Sequence, residues 1–140
     1  MKLKLISFLF LLGSVFNSCT SETETPKKVA SQFLEAMEKR NYEEAMSYST
    51  RSTQKLLTQL KRLEDLTGEN DAVNPNKVTI VSEDISGDKA IVYFKEEGNE
   101  LQQRISLKRV VEENKKVWKV DLLKEELQKI KDLILNINKE

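Results

Sequence analysis

Apolar positions recur along this chain with changing period, and each change marks a change of predicted structure. Val29, Phe33, Ala36 and Met37 fall at i, i+4, i+7 and i+8, which puts them on one face of a helix. Pro26 suits the first turn of that helix, and Lys39-Arg40 suit the negative pole at its C-terminal end. Asn41 interrupts the pattern, and a short second helix is predicted from Tyr42, with Ala45, Met46 and Tyr48 as its apolar side. Ser49 to Ser52 read as a break and a new cap. Leu56, Leu57, Leu60, Leu63 and Leu66 then form a third stripe, which Gly68 ends. Gly68 to Asn76 carry Gly, Asn, Asp and Pro without periodicity and are predicted to be a loop.

Beyond this loop the period falls to two. Val78 and Ile80 alternate with polar residues as far as Asp84, and Ser86-Gly87-Asp88 supply a turn. Ala90 to Phe94 are apolar on both faces, which predicts a central strand covered on both sides. Glu97-Gly98-Asn99 form the next turn, and Leu101, Ile105 and Leu107 then alternate with Gln102, Arg104, Ser106 and Lys108. A last turn at Glu113-Asn114 leads to a strand from Val117 to Leu122. Four strands joined by short turns predict an antiparallel meander. Helices first and strands second is the α+β pattern, with the helices on one face of the sheet.

Helical spacing returns at the end of the chain. Leu123, Leu127, Ile130, Ile134 and Ile137 make a narrow seam about two heptads long, shorter than a coiled coil requires. It either folds back over the second face of the sheet, where Ile91 and Tyr93 need cover, or docks on a partner protein. Packing within the chain is the expectation, because small domains seldom leave such a stripe in water.

The N-terminus obeys different rules. Lys2 and Lys4 precede an apolar stretch from Leu5 to Phe16, followed by Asn17, Ser18 and Cys19. This is the charged, apolar and small-residue succession of a secretory signal, and twelve residues fall well short of the roughly 20 that span a bilayer. Cys19 is the one cysteine of the chain, so it makes no intramolecular disulfide. The run Val15-Phe16-Asn17-Ser18-Cys19 resembles the lipobox of bacterial lipoproteins. That resemblance implies cleavage after residue 18, acylation of the Cys19 thiol and amine, and attachment to a membrane. Two or more acyl chains anchor stably at about 0.8 kcal/mol per buried methylene. The alternative is a free thiol in a secreted protein cleaved nearby. Thr20, not Asp, follows the cysteine, and Glu22 and Glu24 resemble the acidic residues that flag surface export. Together they imply the cell envelope, on the outer membrane of a Gram-negative bacterium.

Loss of residues 1–18 from a chain of 140 leaves 122, enough for one domain with one core. The full chain balances 23 basic against 23 acidic residues, and two lysines leave with the signal, so the mature charge is −2. Near-neutrality argues against a nucleic-acid partner, which demands a basic footprint. Thr20 to Pro26 contain no large apolar residue and read as a tether. The predicted organisation is a signal peptide at 1–18, a tether at 19–26, an α+β domain at 27–122 and an amphipathic helix at 123–140.

Three runs carry a wider likeness: Lys27 to Ser49, Gly87-Asp88-Lys89-Ala90-Ile91-Val92, and Val117-Trp118-Lys119-Val120-Asp121. They resemble a family of bacterial lipoproteins with a nuclear-transport-factor-2-like (cystatin-like) domain of unknown function, over roughly residues 26–122. The resemblance implies a curved four-stranded sheet rolled around the first helix to form a cone, with the C-terminal helix as an addition.

Relatives in that superfamily include isomerases and dehydratases that work inside the cone with Asp, Tyr and His. This chain has no histidine, which removes imidazole bases and His-ligated metals, and no metal or cofactor is expected. A buried carboxylate beside a tyrosine is the remaining acid–base pairing. The candidates are Tyr42, Tyr48, Tyr93, Asp84 and Asp121. Asp121 is expected to be a solvated edge charge, Tyr42 and Tyr48 packing rings with wet hydroxyls, and Trp118 a core anchor. The expectation is a lipid-anchored envelope protein that binds a ligand or a protein without catalysis. The alternative is an isomerase- or dehydratase-like enzyme using a buried carboxylate and Tyr. An enzyme requires a cavity around that carboxylate, whereas an interaction module requires a filled cone and an exposed apolar patch along Leu123 to Ile137.

Overall fold

The computed structural model describes residues 24–67 and 77–135, with side chains as far as 129. Residues 1–18, Cys19, the loop predicted at Gly68 to Asn76, Ile137 and the side chains of Ile130 and Ile134 lie outside that description.

The element order is α1 (Pro26–Glu38), α2 (Tyr42–Ser47), α3 (Arg51–Thr67), β1 (Val78–Ser86), β2 (Lys89–Glu96), β3 (Gln103–Glu112), β4 (Lys115–Val120) and α4 (Lys124–Leu135). The strands form one antiparallel sheet in the order β1-β2-β3-β4. This is the predicted α+β arrangement, and α1 packs against all four strands.

Helix α1 starts where local chemistry demands. Thr25 is its N-cap, accepting from the Lys28 N–H, and Pro26 holds the first turn, buried. Glu83 of β1 accepts the Lys27 N–H at 3.1 Å, so a carboxylate from the sheet sits at the positive pole of the helix. The other end closes as a Schellman motif. The Asn41 N–H reaches the Ala36 carbonyl and the Arg40 N–H reaches Met37, with Arg40 at φ 53°, where glycine is usual. Asn41 at once caps α2 through the Glu44 N–H, which explains the break at that position. All four predicted positions of α1 are buried, with Phe33 fully enclosed.

The remaining elements depart from prediction in informative ways. The buried face of α3 runs through Thr53, Leu57, Leu60 and Glu64, whereas Leu63 and Leu66 are 53% and 77% exposed. Spacing of 4, 3 and 4 carries a helical face onward whatever residue type occupies it. In β1 the register shifts between Ile80 and Ser82, leaving Val81 as an extra residue. That bulge turns Glu83 to the face of the buried Val92, where it can cap α1; strict alternation would have sent it outward. In β2, Ala90, Val92 and Phe94 are buried, but Ile91 and Tyr93 are half-exposed, so only one face of this strand is fully covered. Leu101 lies outside β3 and is exposed, because Gly98 (φ 83°) and the Asn99 side chain hold the β2–β3 connection in turns.

Hairpin turns follow backbone handedness. Gly87 alone takes positive φ in the β1–β2 turn, whereas both Glu113 and Asn114 do so in the β3–β4 turn, the primed geometry that matches strand twist. Strand β4 ends at Val120, two residues before the predicted Leu122, since the chain leaves the ladder to bury Leu122 in the core.

The seam of α4 splits at its start. Leu123 precedes the helix and is exposed, whereas Leu127 is buried in the same cluster as α1. Glu126 accepts from the Leu123 N–H and from the Ser106 hydroxyl, fastening the first turn of α4 to β3. Leu127 of the seam therefore packs within the chain, and Leu123 does not.

The edge of β4 is tied to the α2–α3 junction. The Val120 N–H donates to Tyr48, the Thr50 N–H donates to Val120, and the Leu122 N–H donates to the buried Thr53 hydroxyl at 2.9 Å. Thr53→Val keeps the side-chain volume but strands the Leu122 N–H. The substitution is expected to cost about 1–3 kcal/mol in urea unfolding. A loss under about 0.5 kcal/mol would mean that water replaces the hydroxyl.

Candidate functional site

Helix α2 presents Tyr42 toward α3, whose inward face carries Glu64. The Tyr42 hydroxyl donates to the Glu64 carboxylate, and both residues are buried. The expected wet hydroxyl is thus corrected: the phenol is inside and bonded. Burial, with the bond to Glu64 next, pushes the Tyr42 phenol above the usual tyrosine range, while the charge of Arg40 opposes the shift.

The other candidates do not join this pair. Tyr48 caps the end of α2, half-buried, with its carbonyl bonded to β4. Tyr93 lies half-exposed on the outer sheet face opposite Arg104. Asp84 is exposed on the same face, opposite Ile91. Asp121 is corrected from a solvated charge to a structural tie: it accepts from the Thr50 hydroxyl at 2.7 Å and Ser52 at 3.2 Å, and pairs with Lys108 at 3.4 Å. Trp118 is buried as expected, with the Arg109 guanidinium 4.7 Å from its ring centroid.

Three buried or half-buried carboxylates were absent from the candidates. Glu64 continues the Thr53-Leu57-Leu60 face, and Glu96 continues the alternation Ala90-Val92-Phe94 by one more step. The periodicity contained both, since the geometry of a face does not stop where its residues become polar. Glu38 ends α1 beside the buried Met37, with one carboxylate oxygen enclosed and without a hydrogen-bond partner.

Among the surface grooves of the described residues, two are of note. One of about 390 Å³ lies on the outer sheet face, over Ile91 and Ser106, between Asp84, Lys108 and the exposed Leu123. The other, about 480 Å³, runs from Thr50-Arg51-Ser52 to Val111 and Glu112. Neither is lined by Tyr42 or Glu64. Among the described residues no cluster of three or more acidic, Cys or His side chains is arranged to hold a metal, and no helix is long and apolar enough to cross a membrane. Compared with protein-family models, with curated proteins and with solved structures, the chain matches none.

Chemically, the Tyr42–Glu64 bond fastens α2 to α3 and holds the phenol in its neutral form. In spectrophotometric titration the Tyr42 phenol is expected to stay protonated at pH 10, where a free tyrosine is about half ionised. Tyr42→Phe should remove only absorbance change above that pH and cost about 1–3 kcal/mol in stability. Loss of the pH 10 signal in the variant would contradict the buried bond.

Proposed function

We propose that this chain is a lipid-anchored protein of the bacterial cell envelope, whose folded domain binds a protein partner without catalysing a reaction. The observation that carries the proposal is the position of Cys19, the lone cysteine, directly after Ser18 at the end of a twelve-residue apolar stretch. Acylation there would give the domain an attachment of two or more chains, enough for stable residence on a bilayer.

The fold proposed is the nuclear-transport-factor-2-like roll, supported by the order of elements and by α1 lying against every strand. Its interior is occupied: Val29, Ala30, Phe33, Val92 and Ile105 pack there with almost no exposure. A filled interior favours recognition through outer surfaces over chemistry on an enclosed substrate. The exposed Leu63, Leu66 and Leu123 supply apolar contact area of the kind that interfaces use.

A second reading, an isomerase- or dehydratase-like enzyme, draws on Tyr42 and Glu64, a buried tyrosine–carboxylate pair of the type such chemistry needs. Against it stands the mutual bond, in which each group already satisfies the other.

Metabolic labelling with a palmitate analogue, combined with membrane fractionation, tests the anchor. The native chain is expected to carry label and sediment with membranes. Cys19→Ser should lose the label and move to the soluble fraction. A variant that still sediments, with the native protein unlabelled, contradicts the proposal.

A further inference from the structure

The two hairpin turns of the sheet lie at one end of the molecule. Lys89, just past the β1–β2 turn, stands opposite Lys108, and Glu112 stands opposite Lys115 across the β3–β4 turn. The Arg109 N–H donates to the Asp88 carbonyl at 2.8 Å, and the Lys116 ammonium lies 3.6 Å from the Asp88 carboxylate. The β1–β2 turn is thus fastened to the β3–β4 hairpin, and the connection between β2 and β3 lies at the opposite end. Glu83 fixes the start of α1 relative to these turns. It accepts the Lys27 N–H and shares a cross-strand row with Val92 and Ile105. Val111 lies six residues farther along β3, about 20 Å beyond that row toward the turns.

The two ends differ in what they expose. At the turn end, Ile85 and Val111 are 48% and 69% exposed. The same end carries Lys89, Lys108, Arg109, Lys115 and Lys116. Of the acids in the two turns, Asp88 pairs with Lys116 and Glu112 pairs with Lys119 at 3.1 Å. Glu113 alone among them has no ion pair among the described residues. The β2–β3 connection, from Glu97 to Gln102, also exposes an apolar residue, Leu101, but it holds Glu97 and Glu100 and no cation. An anionic surface therefore favours the turn end over the other.

We propose that the hairpin-turn end is the membrane-facing surface of the domain, and that its occupant is the anionic bilayer in which Cys19 is anchored. This inference rests on the acylation proposed above. Six residues lead from Cys19 to the N-cap at Thr25, a span of at most about 20 Å when fully stretched. Acylation therefore holds the start of α1 within about 20 Å of the lipid, which matches the reach of Val111 beyond it. With the turns down, Val111 and Ile85 meet the headgroup layer, and the lysines lay their stems along it with the ammonium groups on lipid phosphates. The opposite end, with Leu101, is held away from the membrane.

The test uses the acylated full chain in vesicles of phosphatidylethanolamine and phosphatidylglycerol, with a nitrobenzoxadiazole probe on one introduced cysteine. Because Cys19 is the lone native cysteine and its thiol carries lipid, only the introduced thiol takes the probe. At Val111→Cys the emission should shift to the blue and fall about twofold when lipid nitroxides are included. At Leu101→Cys it should match the probe in water. Ile85→Cys, at the other turn, should repeat the Val111 result and replaces it if that variant fails to fold. Lys115→Glu combined with Lys116→Glu should weaken the quenching at position 111 about twofold, with the chain still floating with the vesicles. Flotation separates this inference from the anchor beneath it. A floating chain with Leu101 quenched and Val111 not, with every probe in water, or with quenching indifferent to the lysine changes leaves the anchor standing and overturns the proposal. A native chain that carries no acyl group and does not float defeats the anchor, and this inference with it.

Discussion

The structure depends on the bonds that tie the edge of β4 to the junction between α2 and α3. Tyr48, Thr50 and Thr53 on one side meet Val120 and Leu122 on the other, about seventy residues away in sequence. Because backbone groups leaving a sheet edge must find partners, the short stretch between two helices serves β4 as a minimal fifth strand. Asp121 adds a side-chain version of the same tie, through the hydroxyls of Thr50 and Ser52. The consequences spread in both directions. Leu122 is drawn into the core, and the following residue leads straight into α4, whose Glu126 then reaches Ser106. This seam joins the helical first half to the stranded second half, alongside the packing of α1 on all four strands.

Much of this was legible in the sequence wherever one periodicity ran uninterrupted. Val29, Phe33, Ala36 and Met37 announced α1, and the turn residues at Gly87, Gly98 and Asn114 marked the strand order. What escaped were features in which a rule is locally suspended. The bulge at Val81 reverses the facing of every later residue in β1, and no spacing within an isolated strand reveals it. Leu63 and Leu66 look like core by type, yet the helix turns Glu64 inward, because the face is set by angle and not by hydrophobicity. Asp121 was misjudged because its partners lie at the head of α3, beyond any local window.

The polar groups inside the fold share a logic. Glu64 is satisfied by Tyr42, Thr53 by Leu122, and Asp121 by two hydroxyls and a lysine. Each joins two separate elements, where burial makes a bond directional and costly to lose. Two enclosed oxygens, one each on Glu38 and Gln32, lack a hydrogen-bond partner and stand out against this background. A domain with such an interior meets its surroundings through its outer surfaces, consistent with the proposed role as a binding module on a lipid anchor.

Native-state hydrogen exchange at the β4 seam tests the dependence on these bonds most directly. The amides of Thr50, Val120 and Leu122 are expected to exchange only with global unfolding, at the same free energy as the amide of Phe33 in the centre of α1. Exchange at those three positions through local opening, with Phe33 still fully protected, would show that α1 and the sheet hold together without the seam and would contradict the account.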